Sequence, residues 1–266
     1  MKRHAMACLS TALVAMAFSG IAQADGWGDL SGQFLFEGDI PDKEIIYKKG
    51  DPNAKDPGVC AATDLHSDDL VIDKESKGVA NIFVYIRKTK VIHPDLKASK
   101  KKEIVFDQKG CRFLPHVMFV RTDQTVLVKS NDPISHNTHT HTILNKPVNF
   151  ILPGVDRVGV KVKKPLRESL PMEVKCDVHP FMKAYWLILD HPYAVASAKD
   201  GKFKIGKLPA GEHKFRIWHE RVGYLLPKQT NPDKKVYDHV FKIDDGKENK
   251  LQPMKLTIDK LTDDDE

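Results

Sequence analysis

The sequence predicts an almost entirely β protein. Short runs of alternating apolar and polar residues recur along the chain, for example at 79–87 and 125–130. Alternation with a period of two is typical of strands with one face against a core. Beyond the N-terminal segment, no stretch of useful length has the apolar period of a helix, and no fixed-period repeat is present.

The N-terminal segment predicts export. A basic start is followed by mainly apolar or small residues at 5–22, and an Ala-x-Ala pattern ends at Ala24. These are the parts of a cleaved secretory signal peptide, here residues 1–24. Cys8 would be removed with it and lies too early for a lipid-anchored cysteine. No later segment is apolar for long enough to span a membrane, so we expect a periplasmic or otherwise exported protein.

The charge balance argues against a nucleic-acid partner. The chain has 42 basic and 36 acidic residues, and loss of the signal peptide makes the positive excess smaller still. Basic and aromatic residues are not interleaved in the way that nucleic-acid-binding proteins show. The basic run at 100–102 is interpreted as a solvated linker face, with docking of an acidic partner as the alternative.

Residues 176–182 concentrate metal-binding groups. They supply a thiolate, an imidazole and a thioether: Cys176, His179 and Met182. The flanking patterns predict two strands joined by a tight turn that contains Pro180, which would direct all three side chains to one point. His136, which follows the strand at 125–130, supplies a second imidazole. One Cys, two His and one Met are the donors of a type 1, or blue, copper site, so we expect one copper ion here.

These motifs carry a family resemblance. The pattern Cys-x-x-His-Pro-Phe-Met with an upstream His-Asn resembles the cupredoxins, most closely those of the amicyanin and plastocyanin type. The resemblance implies a Greek-key β-sandwich over about 101–190, with the four copper ligands named above. It also implies an electron-transfer surface at which the loop imidazole reaches solvent, formed by His179, Pro180 and Phe181. Asp177 and Val178 replace the Thr-Pro usual in amicyanin, so the fine geometry of the loop is expected to differ.

Four further residues need interpretation, three of them close to His136 in the sequence. Asn137 is expected to brace the copper loop by hydrogen bonding. If 136–141 is extended, His139 and His141 lie together on the face opposite to His136. We favour two exposed histidines there, with a second metal site as the alternative. His116 has no evident partner in the sequence and is interpreted as structural.

Cysteine parity predicts a disulfide. Cys60, Cys111 and Cys176 remain after export. If Cys176 binds copper, the other two are free to pair under oxidising conditions. A disulfide that includes Cys176 is the competing interpretation, but it leaves the placement of the His and Met residues unexplained.

The flanking segments predict a second β unit. The phrase Asp200-Gly-Lys-Phe followed by Leu208-Pro-Ala-Gly-Glu resembles the carboxypeptidase-regulatory-like β-sandwich family. The resemblance implies that residues 25–100 pair with 191–258 as one sandwich, split around the cupredoxin-like part. Three units in a row are the alternative. Residues 259–266 form an acidic tail.

The predicted function is single-electron transfer between periplasmic redox proteins, not enzymatic catalysis. Four protein donors leave no position on the metal for a substrate. The resemblance implies a partner such as a cytochrome c or a periplasmic dehydrogenase. Two alternatives remain: a copper delivery or storage protein, and a cell-surface binding module on a copper-free cupredoxin scaffold.

Trp218 is expected in a core, with His219 and Glu220 at its rim.

Overall fold

The computed structural model describes residues 26–225, 227 and 237–262. The predicted signal peptide lies outside these residues, as do the last four residues of the acidic tail. No helix within the described part of the chain is long and apolar enough to cross a membrane.

Twenty strands and three short helices make up the described structure. In chain order, the strands are β1 (Trp27–Phe36), β2 (Ile45–Tyr47), β3 (Leu65–His66), β4 (Phe83–Ile86), β5 (Glu103–Gln108), β6 (Phe113–Leu114), β7 (Val117–Arg121), β8 (Thr125–Ser130), β9 (His136–His141), β10 (Asn149–Leu152), β11 (Val160–Lys163), β12 (Met172–Lys175), β13 (Lys183–Leu189), β14 (Ala194–Ala196), β15 (Lys202–Pro209), β16 (Gly211–His219), β17 (Gly223–Tyr224), β18 (His239–Ile243), β19 (Glu248–Lys250) and β20 (Met254–Leu256). The helices are α1 (Pro57–Cys60) and two 3₁₀ turns at Pro94–Leu96 and Ile258–Lys260. The prediction of an all-β protein is confirmed.

The segment from 103 to 189 forms two facing sheets, which we call the central sandwich. One sheet has the strand order β10-β9-β12-β13-β7 and the other β11-β8-β5-β6. Alternate residues of β8 and β13 point between the sheets, which is why Val126, Val128, Trp186 and Ile188 are buried. Phe106 of β5 packs edge-on against Trp186 and closes the middle of this core.

Strands from both ends of the chain form the outer sandwich. β1 pairs with β15, β19 and β20 in one sheet, while β4 pairs with β14 and β16 in the other. Their inward side chains share a core that includes Leu30, Phe34, Val84, Phe215 and Ile217. Leu70 and Ile72 also belong to this core, although their segment makes only a single antiparallel bridge, between Ile72 and Val79.

A third apolar cluster joins the two sandwiches. Phe83 and Trp218 of the outer sandwich pack with Val117, Leu187 and Leu189 of the central one. Strand β13 is therefore buried on both faces, which explains its continuous apolar run.

Residues 44–66, which we call the cap, lie between β1 and β4 in the chain and cover one end of the central sandwich. The cap contains β2, α1 and β3. A disulfide joins Cys60 of α1 to Cys111 of the central sandwich, and both sulfurs lie within the central core. The predicted pairing is therefore present in the structure, with Cys176 free and buried.

Candidate metal centre

The four predicted donors arrive at one end of the central sandwich. His136 is the first residue of β9, and the other three lie on the turn between β12 and β13. Two backbone hydrogen bonds close this turn: Cys176 N donates to Met182 O at 3.1 Å, and Met182 N donates to His179 O at 2.8 Å. The backbone N–H of His179 also points at Cys176 Sγ, 3.4 Å away.

The ligand atoms converge. The Nδ1 atoms of His136 and His179 are 2.9 Å apart. Cys176 Sγ is 3.9 Å from the first and 3.8 Å from the second. Cys176 and both imidazoles are 0% exposed, and Met182 is buried in the same core. Two nitrogen lone pairs and a sulfur repel each other at such distances unless a proton or a metal cation lies between them. The donor set therefore fits a copper ion.

A carboxylate holds the far side of each imidazole. His136 Nε2 lies 2.8 Å from Asp132 Oδ2, and His179 Nε2 lies 3.0 Å from Asp56 Oδ2. Asp132 is itself fixed, since it accepts hydrogen bonds from the backbone N–H groups of Gly110 and Cys111. A carboxylate accepts the proton of Nε2 and so leaves the Nδ1 lone pair free for a metal.

The electrostatics of the site favour a thiolate. Burial by itself raises the pKa of Cys176, but hydrogen bonds from His136, His179 and backbone amides outweigh burial and lower it to about 6. Burial lowers the pKa of His136, but hydrogen bonds to Asp132 and Cys176 outweigh it and raise the pKa to about 9. A positive charge in the middle of the donor set is thus strongly favoured, and a metal cation supplies one.

Asn137 links the loop to the neighbouring strand. Its Oδ1 accepts the backbone N–H of Asp177 at 2.5 Å, and its Nδ2 donates to Asp177 Oδ2 and to Asn149 Oδ1. These contacts connect the residue after Cys176 to β9 and β10. They are the kind of contacts by which an asparagine can brace a ligand loop.

His179 does not reach the surface, in contrast to the electron-transfer surface that the resemblance implies. The cap covers this end of the sandwich and places Asp56 on the outer nitrogen of the ring. The disulfide sulfurs lie within 4.8 Å of a ring nitrogen of His179. Pro180 is exposed, while Phe181 is half-buried with its ring edge-on to Tyr47 of the cap. Sequence patterns do not reveal this cover, because Asp56 and His179 are 123 positions apart.

His139 and His141 lie where strand alternation places them, on the face opposite to His136. Their ring centroids are 4.5 Å apart, and His139 Nδ1 contacts Asp177. Within the described chain they do not belong to any group of three metal-binding side chains as compact as the one around Cys176.

His116 has a partner that the sequence pattern does not reveal. Its Nε2 contacts the carboxylate of Glu220, which is buried and also lies 3.2 Å from Lys183 Nζ. Glu220 is therefore not at a rim but in the contact between the two sandwiches, and His219 is buried as well. Asp132 was not predicted either, although its place four residues before His136 in a turn is a usable signal.

Comparison with known proteins finds distant structural likenesses to amicyanins. No protein-family model matches the chain, and no curated protein matches it. Among solved structures, a Cu(I) form of an amicyanin variant matches with 15% identity and a TM-score of 0.30, over 34% of this chain and 86% of that chain. A reduced amicyanin variant matches with 14% identity and a TM-score of 0.30, over 40% and 98%. Amicyanin from Paracoccus versutus matches with 11% identity and a TM-score of 0.28, over 40% and 97%.

Proposed function

We propose that this protein binds one type 1 copper ion through His136, Cys176, His179 and Met182. The observation that carries the proposal is the convergence of two Nδ1 atoms and one Sγ within 4 Å of each other in a buried pocket. Nitrogen and sulfur donors in this combination suit copper in both of its common oxidation states. Copper, when bound, would supply a one-electron couple.

Single-electron transfer is the function that this geometry supports best. The donors are buried; His136 lies on β9, and the other three lie on a turn that two backbone hydrogen bonds close. A rigid donor set changes little when the metal changes oxidation state, which favours fast electron transfer. Because protein donors surround the site, no substrate position is evident, and we propose a carrier rather than an enzyme.

The alternatives are weaker on structural grounds. A delivery protein must release its metal, whereas the cap and its disulfide enclose the site here. A binding module on a metal-free scaffold has no use for two buried imidazoles, each oriented by a carboxylate. Retention of copper is therefore the interpretation that accounts for the two imidazoles, their carboxylate partners and the cap.

Location and partners follow from the sequence and remain part of the proposal. The predicted signal peptide supports export to the periplasm, where the disulfide is stable. There we expect a redox protein as partner, such as a cytochrome c or a periplasmic dehydrogenase. We also propose that residues 25–100 and 191–258 form one domain into which the central sandwich is inserted, as the pairing of β1 with β15 supports.

Absorption and EPR spectra of the copper-loaded protein test the proposal. We expect an intense thiolate-to-Cu(II) band in the visible range and narrow copper hyperfine splitting, at one copper per chain. Cys176→Ser should abolish the band, while His141→Gln, on the exposed face of the same sheet, should leave it unchanged. A colourless protein with ordinary Cu(II) signals would contradict the proposed site.

A further inference from the structure

The open side of the central sandwich contains a groove. β10 is the edge strand of one sheet and β11 the edge strand of the other, and residues of both strands line one groove. Between them runs a groove of about 430 Å³, with Val148, Phe150 and Val162 among its lining residues. Edge strands present unpaired backbone N–H and C=O groups, which an extended peptide can use.

The chain segment that forms this groove is rich in exposed apolar side chains. Of the fourteen large apolar side chains exposed in the described structure, eight lie between residues 143 and 170. Two of the eight line the groove itself: Val160, which is 36% exposed, and Leu166, which is 60% exposed. Single exposed apolar residues are ordinary, but exposed apolar side chains along a groove are a feature of interaction surfaces.

Lysines line the same groove. Lys146, Lys161, Lys163 and Lys164 all contribute to its walls. Lys161 pairs with Glu103 at 2.7 Å, whereas the described residues place no carboxylate oxygen within 4.0 Å of the other three. The groove therefore combines apolar side chains with unpaired positive charge, which is complementary to an acidic partner.

A buried carboxylate holds one wall in place. Glu168 is 1% exposed, and it accepts the backbone N–H groups of Leu144 and Asn145 at 2.9 to 3.1 Å. It also accepts the side-chain amide of Asn145 at 2.7 Å. The turn that presents Ile143 and Leu144 to solvent is thus fixed by a buried, fully hydrogen-bonded carboxylate.

Two simpler roles for the lysines cover only part of this surface. Lysines on edge strands can serve only to prevent edge-to-edge aggregation, but this does not explain the fixed apolar turn at 143–144. Lysines beside apolar side chains can also bind an anionic membrane surface, but these lysines line a concave groove between two strands. A concave site with unpaired strand edges fits an extended polypeptide better than a flat lipid surface.

We propose that the groove between β10 and β11 docks an extended, acidic segment of a partner protein, whose carboxylates meet Lys146, Lys163 and Lys164. Apolar side chains of the segment contact Phe150 and the neighbouring exposed aliphatic residues. The groove is built by residues other than the four proposed copper ligands, so its binding does not require the metal.

A synthetic peptide in which Glu and Val alternate is the probe. We expect it to bind the metal-free full-length protein at low ionic strength, to shift NMR signals of β10 and β11, and to bind more weakly as salt is added. The triple variant Lys146→Glu, Lys163→Glu and Lys164→Glu should bind at least about tenfold more weakly. The matched control, Lys214→Glu with Lys242→Glu and Lys250→Glu on the outer sandwich, should bind like the wild type.

The variant Val160→Ser with Leu166→Ser removes two exposed apolar side chains of the groove wall, and so tests apolar contacts separately from charge. This variant should weaken peptide binding but keep its salt dependence, with an unchanged far-ultraviolet circular dichroism spectrum. Equal binding by all variants, or signals shifted elsewhere, would overturn the proposal. Binding to phosphatidylserine vesicles without binding to the peptide would overturn it in favour of a membrane surface.

Discussion

At the scale of single residues, the two carboxylates behind the imidazoles define the proposed metal site as much as the donors do. Asp132 and Asp56 each contact the Nε2 atom of one histidine. They orient the rings, and they place negative charge near the metal position. Negative charge stabilises Cu(II) relative to Cu(I), so these residues should lower the reduction potential.

Asp132→Asn tests this role. The amide retains the shape of the side chain but removes a buried charge, so the reduction potential should rise by the equivalent of about 1–2 kcal/mol. Spectroelectrochemistry of the copper-loaded variant measures the shift.

Glu212→Gln is the matched control, because it removes an exposed charge from the outer sandwich. Its potential should equal that of the wild type. An unchanged or lower potential in Asp132→Asn would show that Asp132 has no electrostatic role at the site.

The cluster of proposed donors could be predicted from the sequence, but the carboxylates that contact it could not. Cys176, His179 and Met182 lie within one turn, and donor chemistry makes such a cluster visible in a single sequence. Asp56 and the pair of His116 with Glu220 depend on contacts across 123 and 104 positions. Nothing local marks an aspartate on a helix-start turn as the neighbour of a distant imidazole.

At the scale of elements, the cap is the part of the chain that covers the proposed metal site. α1 carries Cys60 into the central core, and the residue before the helix, Asp56, contacts His179. The disulfide closes a loop with a sequence separation of 51 residues. A cross-link of this length limits the freedom of the unfolded chain considerably.

Removal of the disulfide should therefore destabilise the protein. For Cys60→Ala with Cys111→Ala, we expect the free energy of unfolding to fall by about 4 kcal/mol, from the loop-closure entropy of a loop of this length. Urea unfolding followed by tryptophan fluorescence measures the change.

Wild-type protein treated with a thiol reductant is the companion sample and should lose a similar amount of stability. The double variant should also exchange bound copper faster, since the cap is then held only by non-covalent contacts. Unchanged stability and exchange would mean that the cap is held in place without its cross-link.

The position of a strand can follow the sequence pattern well, but the residues at which strands begin and end do not always do so. β8 covers the predicted residues 125–130. β4, in contrast, is only four residues long where the alternation extends over 79–87, because Asn81 adopts a positive φ of 65° and interrupts the strand. Such interruptions are set by tertiary contacts and leave little trace in the hydrophobic pattern.

At the scale of the whole molecule, two buried histidines make stability depend on pH. His191 and His219 are at most 1% exposed, and burial lowers the pKa of each to about 4. In each ring Nδ1 accepts a backbone N–H, from Tyr193 or Arg221, and protonation would break that hydrogen bond. Both residues are thus neutral in the folded protein at neutral pH.

The sign of the effect follows from linkage. Between about pH 6.5 and pH 4, the unfolded chain binds protons at these two positions and the folded chain does not, so stability falls as the pH falls. Each histidine should contribute about 3 kcal/mol to this loss. Urea midpoints measured across this range should therefore decrease towards acid.

His191→Gln with His219→Gln removes both titrating groups while keeping polar side chains of similar size. The decrease of the free energy of unfolding between pH 6.5 and pH 4 should become clearly shallower than in the wild type. Equal slopes for the two proteins would exclude these histidines as its origin.

The arrangement of the two sandwiches is a property of the whole molecule. The sequence was compatible both with a split sandwich and with three units in a row. Strands β1 and β15 are more than 160 positions apart, and alternation within each strand is compatible with either arrangement. Pairing across such distances is decided by the complementarity of whole faces, such as the cluster of Phe83, Leu187 and Trp218. A single sequence does not display that complementarity.

A spectroelectrochemical titration of the copper-loaded protein tests the central claim most directly. If His136, Cys176, His179 and Met182 hold a type 1 copper ion for electron transfer, the thiolate-to-Cu(II) band should bleach and return reversibly with one electron per chain. Irreversible bleaching, or loss of copper on reduction, would contradict an electron carrier.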